Sequence, residues 1–309
     1  MLRRGAAWAA VADLLAAYTR RMRPIIDPSE LRERLDRHDL RLVDARFSLA
    51  DPSAGREAYR VSHLPGAVYL HLDEDLSGPP GEHGGRHPLP DPDALAATFG
   101  RAGIGPETHV VVYDDGDGMI AGRVWWLLRW LGHDCVQILD GGLSAWREEG
   151  GPETAEEPQP TPREFEPVPR DAMVVDRAWL LEHLADPQVT VVDARSPERY
   201  RGDVEPLDAR AGHVPGAVNL PFAGNLAGGR FKDEADLRER FAGVARAPTL
   251  VVYCGSGVSA AHDVIALELA GVRGARLYPG SWSDWVSYRD APVATGPEDA
   301  GSDESPRPN

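Results

Sequence analysis

The sequence predicts two tandem α/β domains, each a mostly parallel sheet with helices on both faces. An ordered internal repeat predicts the tandem, and the alternation of β-branched runs with helix-length patterns inside each copy predicts the class. "LRLVDARFS" (40–48) returns as "VTVVDARSP" (189–197), and "SHLPGAVYL" (62–70) returns as "GHVPGAVNL" (212–220). "HVVVYDDGDG" (109–118) then matches "TLVVYCGSGV" (249–258), and "LDGGLSAW" (139–146) matches "YPGSWSDW" (278–285). Four matches in one order mean two homologous halves. Their offset falls from about 150 to about 139, so the second half carries a shorter segment between its PGAV and VVYC strings.

Taken in order, residues 1–24 form an N-terminal extension. Its basic start and small apolar stretch superficially suggest an export signal, but Asp13 interrupts the stretch and Arg20, Arg21 and Arg23 follow it. It reads as an amphipathic helix or a ragged extension. Residues 25–150 form the first domain, with buried strands expected at Arg41 to Ala45, His109 to Asp114 and Val136 to Leu139. Residues 151–170, rich in proline and glutamate, form an extended linker. The second domain spans 171–295, with strands at Val189 to Ala194, Leu250 to Tyr253 and Ala275 to Tyr278. "DALAATFGRAG", "GRVWWLLRWLG", "DRAWLLEHLA" and "SAAHDVIALELAG" have helical spacing, several stopped by glycine. Residues 296–309 are polar and read as a disordered tail.

The chain has 309 residues, 33 basic and 49 acidic, for a net charge of -16. Phosphate-rich partners would be repelled, which argues against nucleic acid and anionic membrane surfaces. No apolar run reaches the length of a membrane helix. Cys135 and Cys254 are the only cysteines, without metal-ligand spacing or a disulfide framework, as expected of a cytoplasmic protein in a reducing compartment.

Cys254 follows a β-branched run and precedes Gly255, Ser256, Gly257, Val258 and Ser259, where a helix begins. In open α/β sheets ligands bind beyond the carboxyl ends of strands. Glycines let successive amides turn toward one point, and the helix N-terminus adds positive potential, so a thiolate or persulfide is stabilised there. Asp114 takes the corresponding place in the first half, which therefore lacks the nucleophile. Cys135 enters a strand with no glycine loop after it and reads as structural. Position 260 is alanine, so the loop lacks the arginine of a C-x5-R phosphatase, and it carries no other cation.

These motifs, with "H-[LV]-PGAV", "RVWWLLRWLGH", "CGSGVSA" and "GSWSDW", resemble the tandem-domain rhodanese family, specifically its 3-mercaptopyruvate sulfurtransferase branch, over about residues 25 to 295. The resemblance implies two rhodanese-like domains, an inactive first and a catalytic second, with the active site between them. Gly255, Ser256 and Gly257 match the Gly-Ser-Gly of the mercaptopyruvate enzymes, whereas thiosulfate enzymes typically carry basic residues there. The resemblance implies a persulfide on Cys254, pyruvate release, and transfer to a small thiol, a thioredoxin-like protein or cyanide, with no metal or organic cofactor. It implies a split Ser/His/Asp relay at Ser256, His87 and Asp73, with His83 competing for the histidine place. It implies substrate-carboxylate arginines at Arg199 and Arg210, with Arg201 as substitute for the latter.

The structural reading is stronger for other repeated positions. Asp44 and Asp193 are expected to hold turns, His63 and His213 to pack, and the Trp125, Trp126 and Trp130 cluster to fill core or interdomain space. Trp282 and Trp285 are candidates for the pocket mouth. Two rival functions remain open at this level: thiosulfate:cyanide sulfurtransfer, and a non-catalytic pair of binding or sulfur-carrying modules.

Overall fold

A computed structural model describes residues 22–297. The expectations for the N-terminal extension and the C-terminal tail fall outside those residues, apart from the few at each edge.

The first domain is a five-stranded parallel sheet. Its strands are β1 (Ile25–Ile26), β2 (Leu40–Asp44), β3 (Val68–Tyr69), β4 (His109–Tyr113) and β5 (Val136–Leu139), in the order β1-β5-β4-β2-β3. All five residues of β4 are buried, which is why Val110 to Tyr113 follow His109 as an unbroken apolar run and not an alternation. Helices α1 (Pro28–Arg32), α2 (Ala54–Val61), α3 (Pro92–Arg101), α4 (Met119–Trp130) and α5 (Gly142–Glu148) cover the sheet. Asp91 caps α3 by accepting from the amides of Asp93 and Ala94.

In the second domain the strands are β6 (Val189–Asp193), β7 (Val218–Asn219), the short hairpin β8 (Leu226–Ala227) and β9 (Arg230–Phe231), then β10 (Thr249–Tyr253) and β11 (Arg276–Leu277). The parallel order β11-β10-β6-β7 reproduces β5-β4-β2-β3, and a parallel bridge from Val174 to Leu277 takes the place of β1. The register is duplicated too: Leu40 to Asp44 face His109 to Tyr113, and Val189 to Asp193 face Thr249 to Tyr253. Helices α6 (Arg177–Glu182), α7 (Pro197–Arg201), α8 (Glu234–Arg240), α9 (Ser259–Leu269) and α10 (Ser281–Trp285) complete it.

The repeated "VDAR" strings form the same buried device in both halves. Asp44 pairs with Arg46 at 2.7 Å and accepts from Tyr113 Oη at 2.9 Å, and Asp193 pairs with Arg195 at 2.6 Å. The repeated histidines stack on tyrosines, His63 on Tyr59 at 4.0 Å and His213 on Tyr200 at 3.7 Å. The expectation for Trp282 and Trp285 is corrected. Both are fully buried, their indole N–H groups donating to Arg210 O and Pro292 O, so they fill the second core and do not rim a pocket.

The two domains meet through α4 and α9, which pack directly on each other. At Gly122 a β-carbon would already lie 3.4 Å from His262 N and Ile265 Cδ1, so the missing side chain lets the helices approach. Arg129 on α4 pairs with Glu268 on α9 at 2.7 Å. The chain between the domains runs back over the first one, donating from Arg163 N to Gly100 O and from Val168 N to Leu131 O.

Candidate active site between the domains

β10 ends at Tyr253 and delivers Cys254 to the carboxyl edge of the sheet, where it is 1% exposed. The Gly257 amide donates to Cys254 Sγ at 3.2 Å. Gly257 has φ +76, and a β-carbon there would stand 2.2 Å from Pro279 O, so no other residue fits without moving backbone. Val258 caps α9, and Ser259 is its first residue. The loop is buckled from behind by α10: Cys254 N donates to Ser281 Oγ at 3.1 Å, and Cys254 O and Gly255 O accept from Trp282 N and Ser283 N. Ser281 is the one non-glycine residue with positive φ among the described residues, a strain held by these bonds.

His87 is brought from the first domain into this loop. Its Nδ1 lies 2.8 Å from Ser256 Oγ, and its Nε2 lies 3.3 Å from Asp73 Oδ1. Burial, then the nearby guanidinium groups of Arg123 and Arg86, push His87 down to about 4, so the ring is neutral at neutral pH. A carboxylate only accepts, so the single ring proton sits on Nε2 facing Asp73, and Nδ1 accepts from the Ser256 hydroxyl. His83 serves a different purpose. It stacks on Tyr288 at 3.8 Å and bonds Ser287 Oγ at 2.8 Å, clamping the first-domain loop to the second domain. Gly84 N and Arg86 N extend that clamp to the Asp284 and Ser283 side chains.

Two arginines, one from each domain, stand over Gly255. A β-carbon on Gly255 would lie 3.0 Å from Arg86 Nη2 and 3.2 Å from Arg199 Nη1. Asp208 bridges them, pairing with Arg86 through Oδ1 and with Arg199 through Oδ2 at 3.0 Å, and Glu205 holds Arg199 at 2.8 Å. The expectation for Arg210 is corrected by the geometry. Its guanidinium donates to Ala291 O at 3.0 Å, anchored behind Trp282, and Arg201 pairs with Asp203 away from the loop.

Two residues here carry no signal in the sequence. Arg86 directly precedes His87, a position that points to nothing until the loop is seen to cross the domain boundary. Arg123 lies in "GRVWWLLRWLG", where the tryptophans dominate the pattern. Its guanidinium is fully buried and donates to Gly257 O at 3.2 Å and His87 O at 3.3 Å. Among the described residues no group of His, Cys, Asp and Glu is arranged to hold a metal ion, and no helix is long and apolar enough to cross a membrane.

The Rhodanese-like domain model matches the chain twice, over residues 27–149 and 176–288. The "Probable 3-mercaptopyruvate sulfurtransferase" of Pseudomonas aeruginosa is 45% identical over 88% of this chain and 98% of its own length. A thiosulfate sulfurtransferase of Rattus norvegicus is 34% identical over 83% of this chain and 87% of its own. Among solved structures, SseA from Escherichia coli, described as a 3-mercaptopyruvate sulfotransferase of the "Rhodanese" fold, superposes with a TM-score of 0.74 at 30% identity, covering 85% of this chain and all of that one. With both halves matched and the duplicated sheet order in place, the chain belongs to the rhodanese family, as a tandem of two rhodanese-like domains.

Proposed function

We propose that this protein is a 3-mercaptopyruvate sulfurtransferase working through a persulfide on Cys254. The observation that carries the reading is the run Ser256–His87–Asp73, hydrogen-bonded between Ser256 and His87 with Asp73 Oδ1 at 3.3 Å from the far ring nitrogen, which crosses the domain boundary beside a cysteine loop holding no lysine or arginine. The Cys254 thiolate attacks the donor sulfur, the donor's C–S bond breaks, and its electron pair passes to carbon as pyruvate enolate. The enolate takes its proton from water, while Ser256, whose hydroxyl proton is held by Nδ1 of neutral His87, offers its oxygen as an acceptor to the donor's S–H, and Asp73 faces the other side of the ring. The product is Cys254–S–SH and pyruvate. A small thiol, a thioredoxin-like protein or cyanide then takes the outer sulfur and returns the thiolate. Gly255, Val258 and Ser259 shape the floor of the site and Gly257 donates to the sulfur.

Arg199 and Arg86 supply the cations for the donor carboxylate in this reading, in place of the Arg199 and Arg210 pair. Their charges are matched by Glu205 and Asp208, so the mouth offers directed N–H groups without a large net positive charge. That suits a monocarboxylate better than the dianion thiosulfate. We place the enzyme in the cytoplasm, a reading supported by two cysteines that are both unpaired.

Intact-mass measurement after exposure to 3-mercaptopyruvate tests the proposal: a gain of one sulfur is expected in the wild type and none in Cys254→Ser. No adduct in the wild type would leave the non-catalytic module as the better reading, and a higher kcat/KM on thiosulfate would reassign the donor.

A further inference from the structure

Three arginines of the described chain are buried at 3% exposure or less: Arg46, Arg195 and Arg123. Arg46 and Arg195 each have a carboxylate two residues away, at 2.7 and 2.6 Å. Arg123 has none: among the described residues no carboxylate lies within ion-pair distance of it, and its Nε has no hydrogen-bond partner at all. Two carbonyls, Gly257 O and His87 O, satisfy part of the guanidinium but bring no charge. Burying a cation in this way is costly, and a guanidinium yields its proton reluctantly, so the pocket calls for an anion.

The place of that anion follows from the contacts. Gly257, whose carbonyl Arg123 holds, gives its own amide to Cys254 Sγ. Burial pulls Arg123 down to about 10, and negative charge on Cys254 is what opposes that pull. The other charged groups around the sulfur leave this role open. His87 is neutral, Arg86 and Arg199 are committed to Asp208 and Glu205, Asp73 lies beyond His87, and Asp284 is held by Tyr278 Oη and Gly84 N behind the loop.

We propose that Arg123, carried on α4 of the domain that has no reactive cysteine, is the counter-cation of the Cys254 thiolate and persulfide, a positioning residue that also holds the Gly257 backbone. The first domain thereby supplies charge to chemistry that the second domain performs. On ionisation the thiol proton leaves to water, and the charge left on sulfur interacts electrostatically with a guanidinium that was already buried and held by Gly257 O and His87 O. The proposal shares with the functional reading only the identity of the reactive sulfur; ionisation is read without any sulfur donor, so the two fail separately.

The test uses the full-length chain in a Cys135→Ser background, leaving one thiol, and follows the rate of iodoacetamide alkylation against pH. In Arg123→Met the midpoint of that profile is expected to rise by about one pH unit or more, tenfold less thiolate per unit. In Arg123→Lys, which keeps the charge but not the fork, the rise is expected to be smaller. With 3-mercaptopyruvate the same variants should lose kcat with little change in KM. An unmoved midpoint in folded Arg123→Met overturns the proposal. If Arg123→Met does not fold, Cys254→Ala decides: removing the anion should make the protein less stable than the wild type at alkaline pH, with the gap closing as pH falls and the wild-type thiol takes up its proton. Equal stability at alkaline pH overturns the proposal by a route that leaves Arg123 untouched.

Discussion

The loops after β4 and β10 leave the same edge of equivalent strands and lead into equivalent helices, yet they enclose different groups. In the first, Asp114 is buried and its carboxylate accepts from the amides of Gly116, Gly118, Ile120 and Ala121 at 3.0–3.1 Å. In the second, Cys254 stands at the same place and the Gly257 amide points at its sulfur. The residue with positive φ shifts by one between the copies, from Gly118 before α4 to Gly257 before the Val258 cap of α9. The start of the helix thus turns amides toward a side chain in both halves, four toward Asp114 and one toward Cys254, where they favour negative charge. One copy is filled by its own carboxylate, whereas the other holds a cysteine whose charge and length change in the proposed persulfide cycle.

Cys254→Asp makes the second loop resemble the first and puts their equivalence to the most severe trial. Sulfur transfer is expected to fall to background, a loss on the order of 10⁴-fold or more, since no nucleophilic sulfur remains. Its thermal transition should stay within a few degrees of the wild type, because amides and a buried arginine face the new carboxylate. Unfolding of this variant would show that the two nests are not equivalent.

Asp114→Ala probes the filled copy. It leaves four amides, three of them buried, without their acceptor, and urea unfolding is expected to show a loss of about 2–4 kcal/mol, with transfer activity per folded molecule little changed. A loss well under 1 kcal/mol would mean that water replaces the carboxylate and that the nest is not a strong one.

A smaller difference between the two loops shows in pH dependence, because each receives a histidine from the other domain in a different setting: His87 bonds the Ser256 side chain in the cysteine loop, whereas His262 bonds the Asp117 backbone beside Gly118 in the first. Burial holds His87 down to about 4, so its neutral form is favoured by folding. The stability it contributes is complete above about pH 6.5, the ordinary histidine value, and is lost as pH falls through about 4. His262, buried behind α4 and pushed down to about 3, acts in the same direction. Asp263, raised to about 7 by burial, acts oppositely, its contribution being lost as pH rises through that value. Unfolding free energy measured from pH 7 to pH 4 should therefore fall less steeply in His87→Gln than in the wild type, by up to about 3 kcal/mol over that range. Identical slopes would mean that His87 is solvated in the folded protein.

Much of the fold was legible because it is written locally. The six strands expected from β-branched runs lie within a residue of where those runs place them, and α3, α4, α6 and α9 fall on segments of helical spacing, whereas the two-residue strands β1, β3 and β7 are too short to announce themselves. The β8–β9 hairpin was not legible, since "NLAGGRF" is too short to show a period. At the site, Ser256, His87 and Asp73 were nameable from motif context, and the structure brings them within bonding distance. Arg210 was named from its family resemblance, but its guanidinium donates to Ala291 O while its own carbonyl accepts from the Trp282 indole, contacts that no local pattern records.

The duplication, the two parallel sheets and the contrast between Asp114 and Cys254 could all be read without coordinates, because strand and helix patterns and the choice of one residue at a loop are properties of short segments. Which polar groups converge on the sulfur could not. His87 meets Ser256 across 169 positions and Arg123 meets Gly257 across 134, contacts set by the packing of α4 on α9. No periodicity records such a contact, because burial and charge balance at a domain interface depend on where two independently patterned surfaces come to rest.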